Sequence, residues 1–234
     1  GQTTIRHLVT HTHGLNETPD GKIVREFEPG QGWAYRGVNI VMMTNLIKEL
    51  YGKSLVQLLE ERVFSRLGLK ETAWQVEEND DLVKVVLDPN QEATYNLGQI
   101  NDGSESNLHV SAREFAIWGN LHLNKGIWNE EQIIPSEVIE LATQVHSPDY
   151  ASKTLPKNGL FWFVQGAPSL NNEIGERVPE GSFQIVGISG PTILVIPKYK
   201  VVVAKMYNKR YNYGGDNYLY YLREFSNLVA DVFA

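Results

Sequence analysis

A chain of 234 residues with 42% hydrophobic and 21% charged side chains can bury a core of its own, which sets aside disorder as its main state. Its formal charge of −7, from 21 Lys and Arg against 28 Asp and Glu, argues against nucleic-acid partners, which need a concentrated basic surface. With no cysteine, disulfides, thiolate catalysis and Cys-ligated zinc are excluded. The basic cluster Lys205, Lys209, Arg210 is too small to reverse the balance and reads as a solvated strand end.

Along the chain, Gly1-Gln2-Thr3-Thr4 carries no signal-peptide pattern. Thr4 to Thr12 reads as a short helix with Ile5, Leu8 and Val9 on one face and Gly14 as its stop. Residues 16–34 form a polar loop punctuated by Gly and Pro. A second helix is expected from Asn39, a good N-cap, with Val41, Leu46, Ile47 and Leu50 inward and Gly52 at its end. Ser54 and Gln57 make a capping box in front of a third helix carrying Leu58, Leu59 and Val63. A long, acidic surface excursion follows Leu69 and reaches about Ser106. Ser111 to Glu114 is another capping box, opening a helix through Phe115, Trp118 and Leu121 to Gly126, and Pro135-Ser136 starts a further one.

The last third differs in kind. Leu160 to Val164, Phe183 to Val186, Ile193 to Ile196 and Val201 to Met206 are rich in β-branched and aromatic residues and read as strands. Pro197-Lys198-Tyr199-Lys200 turns the last two into an antiparallel hairpin. A closing helix after Asp216 is expected to bury Leu219, Leu222, Phe225, Leu228 and Val232. The pattern is α+β: a mainly helical part with long loops over residues 1–158, then antiparallel strands and a terminal helix over 159–234. No apolar run approaches the roughly 20 residues of a membrane span; the longest, Thr192 to Val203, is interrupted by Pro197, Lys198 and Lys200.

Several stretches, in order, resemble the class C β-lactamase and penicillin-binding-protein-like serine hydrolases. Thr4-Ile5-Arg6-His7-Leu8-Val9-Thr10-His11-Thr12-His13-Gly14-Leu15 is similar to the family's T-I-R-H-L-L-T-H-T-S-G-L. Pro29-Gly30 through Tyr35 and Asn39 to Phe64–Thr72 is similar to P-G…Y-S-N…G…P-L-G-M-x-x-T. Ser106 to Gly126 resembles the family's S-A-x-D-x-A-x-x-G…L-N-x-G helix. Gly187-Ile188-Ser189-Gly190, with Pro197 seven residues on, resembles its G-x-x-G…V-x-P hairpin. The resemblance implies one β-lactamase/transpeptidase-like domain, here without the N-terminal strands and nucleophile helix. It also implies amide, ester or peptide hydrolysis by a serine of an S-x-x-K pair, with the motif tyrosine sharing the base role and two backbone N–H groups forming an oxyanion hole.

No serine in the chain has a lysine three residues on. Thr154-Leu155-Pro156-Lys157 has the spacing, but its proline disfavours the helical geometry. Tyr35 occupies the base position as a remnant, or else is a half-buried aromatic anchoring a helix start. The motif asparagine is replaced by Gly37, although the Y-x-S-x-N form of some relatives, nylon-oligomer hydrolases among them, fits Asn39. Arg36 adds a guanidinium that favours an anionic group or a phenolate. Ile185-Val186-Gly187 stands where K-T-G or H-T-G would be, and plain strand packing accounts for Ile185 and Val186. The Ile188 backbone N–H is the candidate second oxyanion donor. Arg36, Gly37, Asn39, Ile185 and Gly187 are therefore the expected substrate-facing positions.

His7 and His11 lie one helical turn apart but fall on ordinary positions of the resembling segment, so they read as structural; His13 is expected to be exposed. Phe161, Trp162 and Phe163 read as core. No cofactor or metal is expected. The expected partners are a small-molecule or peptide ligand in a residual cleft and a complementing N-terminal segment or oligomer, in a periplasmic or extracellular setting. The expectation is a bacterial relative of serine hydrolases that does not turn over as this chain alone. The alternative is a non-catalytic binding or scaffolding protein of the same fold.

Overall fold

A computed structural model describes residues 1–86, 90–150, 152–166, 169–187, 189–206 and 218–234. The first helix, α1 (Ile5–Val9), is shorter than its apolar pattern suggested, and Ile5 is exposed. Thr4 caps it through a reciprocal box in which the His7 ring accepts from the Thr4 N–H. The stretch expected as plain loop contains two short antiparallel strands, β1 (Leu15–Glu17) and β2 (Ile23–Arg25). Gly14, at φ +68°, enters them where any Cβ would collide with the Phe27 carbonyl.

α2 (Val38–Tyr51) begins two residues after Tyr35's neighbour Arg36, and its N-cap is Gly37 rather than Asn39. Asn39 lies inside the first turn and is fully buried. The inward face is built from Val38, Asn39 and Thr44, while Val41 and Leu50 are exposed. The apolar pattern misplaced that face because a buried amide, not a hydrocarbon, docks α2 against α1. α3 (Leu55–Leu59) has the expected Ser54–Gln57 box and runs through a π-helical turn (Glu60–Phe64) into α4 (Ser65–Leu67).

The long excursion is pinned where β3 (Ala73–Trp74) pairs with β4 (Leu108–His109). α5 (Ala112–Leu123) has Ser111 as N-cap, accepting from the Glu114 N–H. The Glu114 side chain does not close the expected box. It accepts instead from the Lys70 N–H at 2.5 Å, the Glu71 N–H at 3.0 Å and the Thr72 hydroxyl at 2.6 Å. A small hairpin, β5 (Ile127–Trp128) with β6 (Glu131–Gln132), leads to α6 (Ser136–Ala142). Val63, Phe64, Leu67, Leu69, Ile117, Leu121 and Ile133 form the core of this helical part.

The four-stranded antiparallel sheet has the order β10 (Val201–Lys205), β9 (Thr192–Ile196), β8 (Phe183–Val186), β7 (Phe163–Val164). Only the last two residues of the expected Leu160–Val164 strand pair, because Phe161 takes a left-handed φ of 61°. β9 is buried throughout and alternates faces. Ile193 and Val195 join Trp162, Phe183 and the α5 aromatics, whereas Leu194 and Ile196 join Phe163, Ile174 and Ala230. α5 approaches the sheet closely at Gly119, where an added Cβ would lie 2.4 Å from Ile193 Cδ1.

The other face is covered by α7 (Tyr218–Phe233); the expected start of this helix at Asp216 lies outside the described residues. Its buried face is Leu222, Ser226, Asn227 and Ala230, and Leu228 and Val232 point outward. The helix is turned this way because the loop before β8 needs acceptors. Ser226 Oγ accepts from the Gly175 N–H at 2.8 Å and Asn227 Oδ1 from the Arg177 N–H at 2.9 Å. Among the described residues, no helix is long and apolar enough to cross a membrane.

Candidate active site

Residues 30–36 lie along the segment that follows α1. The Gly30 N–H donates to the Thr12 carbonyl at 2.8 Å and the Ala34 N–H to the His11 carbonyl at 3.0 Å. Trp33 Nε1 donates to Asn158 Oδ1 at 2.8 Å, tying the loop to the chain just before β7. Held at both ends, Tyr35 presents its ring to solvent and is 58% exposed. It is therefore not a half-buried aromatic that anchors the helix start.

Behind Tyr35 sits His11, with ring centroids 4.9 Å apart. Trp33 and Phe161 complete the nest at 5.9 and 5.7 Å from the same imidazole. His11 is buried, has a left-handed φ of 57°, and is held down to a pKa of about 4, first by burial and then by His13. It is thus neutral at pH 7. Asn39 Nδ2 donates to the Leu8 carbonyl at 2.8 Å and lies 3.3 Å from His11 Nδ1, which accepts in this neutral form. Asn39 consequently positions the histidine under Tyr35 and does not face the cleft. His13, expected at the surface, is buried, because its Nδ1 accepts from the Leu15 N–H at the turn into β1.

Arg36 forks onto Glu26, through Nε at 3.1 Å and Nη2 at 3.0 Å, and its Nη1 donates to the Tyr35 carbonyl. The guanidinium braces the tyrosine's backbone. Gly37 opens onto a cleft of about 720 Å³ lined by Asn16, Val41, Asn96 and Ser104, among others. A Cβ at Gly37 would meet nothing within 4 Å. The side chain that the motif places here is absent, yet the room for it is present.

The third motif lies on β8. β7 pairs with Phe183 and Gln184 only, so the outer edge of Ile185 and Val186 runs on without a strand partner among the described residues. Ile185 packs towards Phe183 and the α5 side, as plain strand packing requires. Gly187 turns the chain, donating to the Pro191 carbonyl at 2.8 Å. Ile188 lies outside the described residues. Thr154 and Lys157 form no catalytic pair: Lys157 Nζ donates to the Pro148 carbonyl at 2.5 Å and sits over the Tyr150 ring.

The residue missed by sequence reasoning is Glu173. It is only 8% exposed, and Gln184 Nε2 donates to its backbone carbonyl at 2.9 Å, placing it against the start of the third-motif strand. Burial pushes its carboxyl up to about 7. Burial, and secondly the charge of Glu173, also hold the Tyr35 phenol above its ordinary pKa. No spacing in the polar stretch Ser169–Glu180 marks this carboxyl as buried. At neutral pH Tyr35 is a phenol that can donate a hydrogen bond; acting as a base would require a cation beside it.

The Beta-lactamase family model matches residues 1–226, and the chain belongs to that family. A similar relative is an uncharacterized protein of Alkalihalophilus pseudofirmus, 42% identical over 97% of this chain and 67% of its own length. More distant curated relatives are covered over about half their length, 47% and 46% in two cases. Among solved structures, a β-lactamase from Mycobacterium bovis superposes with a TM-score of 0.65 at 18% identity, covering 98% of this chain and 74% of that one. Unliganded simvastatin synthase from Aspergillus terreus gives 0.69 at 14% identity, over 100% of this chain and 69% of its own. These likenesses show a β-lactamase/transpeptidase-like α+β fold.

Proposed function

We propose that these 234 residues form the tyrosine and third-motif walls of a serine-hydrolase cleft of the amide, ester and peptide class, and that they do not turn substrate over by themselves. The observation that carries this reading is Tyr35: 58% exposed, stacked on a neutral His11, and braced through its carbonyl by Arg36. An exposed tyrosine held in this way supports a role in meeting a ligand. Its raised pKa keeps the proton on, and no serine–lysine pair within the chain supplies a nucleophile or a cation. Turnover then needs that pair from outside these residues, by a complementing segment or oligomer, in a periplasmic or extracellular setting.

In this reading Gly37, Ile185, Gly187 and the Ile188 N–H remain candidate substrate-facing groups, while Arg36 and Asn39 act indirectly, Arg36 on the Tyr35 backbone and Asn39 on His11 beneath it. The binding or scaffolding alternative is favoured by two positions: Gly37, which leaves room but no hydrogen-bonding group, and Ile185, which offers only hydrocarbon. The test is incubation with a fluorophosphonate and with a fluorescent penicillin, read by intact mass. No adduct is expected, and a covalent adduct on any serine would overturn the reading.

A further inference from the structure

Gly37 leaves the cleft beside it without the motif side chain, yet polar side chains reach that cleft from other walls. Asn16, half-buried on β1, lines the same cavity of about 720 Å³ as Gly37, Val38 and Val41. Its orientation is fixed. Asn16 Nδ2 donates to Glu26 Oε1 at 3.0 Å, and the same carboxylate takes the Arg36 fork. Glu26 is anchored in turn through its backbone N–H, which donates to the Gly14 carbonyl at 2.8 Å. Reversing the Asn16 amide would set its oxygen against a carboxylate. With its nitrogen tied in this way, the side chain offers a ligand chiefly its oxygen.

The wall formed by residues 96–107 repeats the arrangement. Asn96 Nδ2 donates to the Ser106 carbonyl at 2.5 Å, and the Ser104 hydroxyl donates to Asp102 Oδ1 at 2.6 Å. Asn107, 1% exposed, spends its Nδ2 on the Gln75 and Ile100 carbonyls at 2.9 and 3.1 Å, and its Oδ1 is buried without a partner. Glu17 and Glu105 add carboxylates to the lining, and among the described residues no Lys, Arg or His side chain joins them. Arg36, next in sequence to Gly37, is held by Glu26. The nitrogens of all these asparagines are given to the protein, and the charge of the walls is negative. The cleft is matched to a group that donates hydrogen bonds and carries no negative charge.

We propose that Asn16, oriented by Glu26, is the ligand-reading residue of the Gly37 cleft, accepting a hydrogen bond from the N–H of an uncharged amide or a protonated amine. This rests on the reading of the cleft as a ligand site and adds the chemical class of the group bound there. Asn16 touches the ligand; Glu26 acts through Asn16 and is a positioning residue. A carboxylate brought to the same place would meet an amide oxygen and the acidic side chains of Glu17 and Glu105, with no cation to pair it.

The test is a heteronuclear NMR titration of the whole chain at pH 7 with n-butylammonium chloride, n-butyramide and sodium butyrate, probes of one size that differ in the group presented. Both N–H donors are expected to bind and to shift the Asn16 side-chain amide signals, and butyrate to bind at least about tenfold more weakly. Asn16→Leu, its fold verified by circular dichroism, is expected to weaken both donors several-fold, and Gly37→Leu, which fills the cavity, to abolish their binding. Glu26→Gln, whose amide can pair with Asn16 in either orientation, is expected to bring the discrimination against butyrate below about threefold. Glu17→Gln tells the two donors apart: it is expected to weaken the ammonium and to leave butyramide unchanged. Butyrate binding as tightly as the donors, no binding by any probe, or undiminished donor binding in Asn16→Leu would overturn the proposal. Its failure is separable from failure of the functional reading, because a fluorophosphonate adduct bears only on turnover and these titrations bear only on the cleft.

Discussion

Glu114, in the first turn of α5, and Glu173, in the loop before β8, are both buried carboxyls, yet only one is held by the fold. Burial pushes Glu114 upward, but the Thr72 hydroxyl and the Lys70 and Glu71 N–H groups outweigh it and leave its pKa below the ordinary value. Burial acts on Glu173 with nothing to oppose it. The difference separates a carboxylate that builds structure from one to which the described residues give no hydrogen bond or ion pair. A conserved-looking motif is not needed to see it; the donor inventory around each group is enough.

Four measurements would break or sharpen this contrast. Glu114→Ala strips several buried backbone and hydroxyl donors of their acceptor and should cost about 3–5 kcal/mol in urea unfolding. A loss below about 1 kcal/mol would show that the Lys70–Thr72 turn does not depend on it. The second is the pH dependence of stability. His11 and His122, both held at about 4 by burial, are neutral when folded and protonated when unfolded between roughly pH 4.5 and 6.5, so stability falls as pH drops through that window. Glu173, raised from 4.5 to about 7, opposes them, its contribution being lost as pH rises through the same window.

Of these three groups the net is one extra proton on the unfolded chain, a slope of about 1.4 kcal/mol per pH unit to which the lowered His7 and His13 add in the same direction; Glu173→Gln should raise the slope by about 1.4 kcal/mol per pH unit. An unchanged slope would mean that Glu173 titrates normally. Third, at pH 8 the same substitution should stabilise the protein by about 1–3 kcal/mol, because a desolvated charge disappears. Destabilisation of that size would reveal an unseen partner. The smallest effect is expected at Gly37, where φ is −64° and a side chain has room: Gly37→Asn should change stability by less than about 0.5 kcal/mol, checked by thermal melting.

Much of the architecture was readable in advance where hydrocarbon decides the outcome. β8, β9 and β10 and their hairpin follow from runs of β-branched residues, and α5 from its cap, its periodicity and Gly126. The reading failed where polar atoms do the packing. Asn39 reads from its type as the cap that starts a helix but is a buried strut inside the first turn, because the Leu8 carbonyl and His11 need its amide. His13 was placed at the surface, but the turn after it requires an acceptor. α7 was rotated for the same reason, with Ser226 and Asn227 inward in place of Leu228 and Val232. For the site, Tyr35 and the open space at Gly37 were legible from motif position, whereas Glu173 was invisible. Enclosure of a carboxyl depends on distant segments, here α7 and β8, that no local pattern announces.

The π-helical turn between α3 and α4 has a bearing on how this chain can tolerate length changes. Its wider winding accommodates one more residue than an α-helical path would between Leu55 and Leu67. Deleting a single residue from Glu60–Phe64 would let the turn close to ordinary pitch with the downstream phase kept, whereas deleting one from the α-helical stretch Leu55–Leu59 would swing everything downstream by about 100°. Leu67 and Leu69, both buried beside Ile117 and Leu121, would leave the core, and the turn that feeds Glu114 would leave with them. The π turn is thus a point in this helical run where a one-residue change in length can be absorbed.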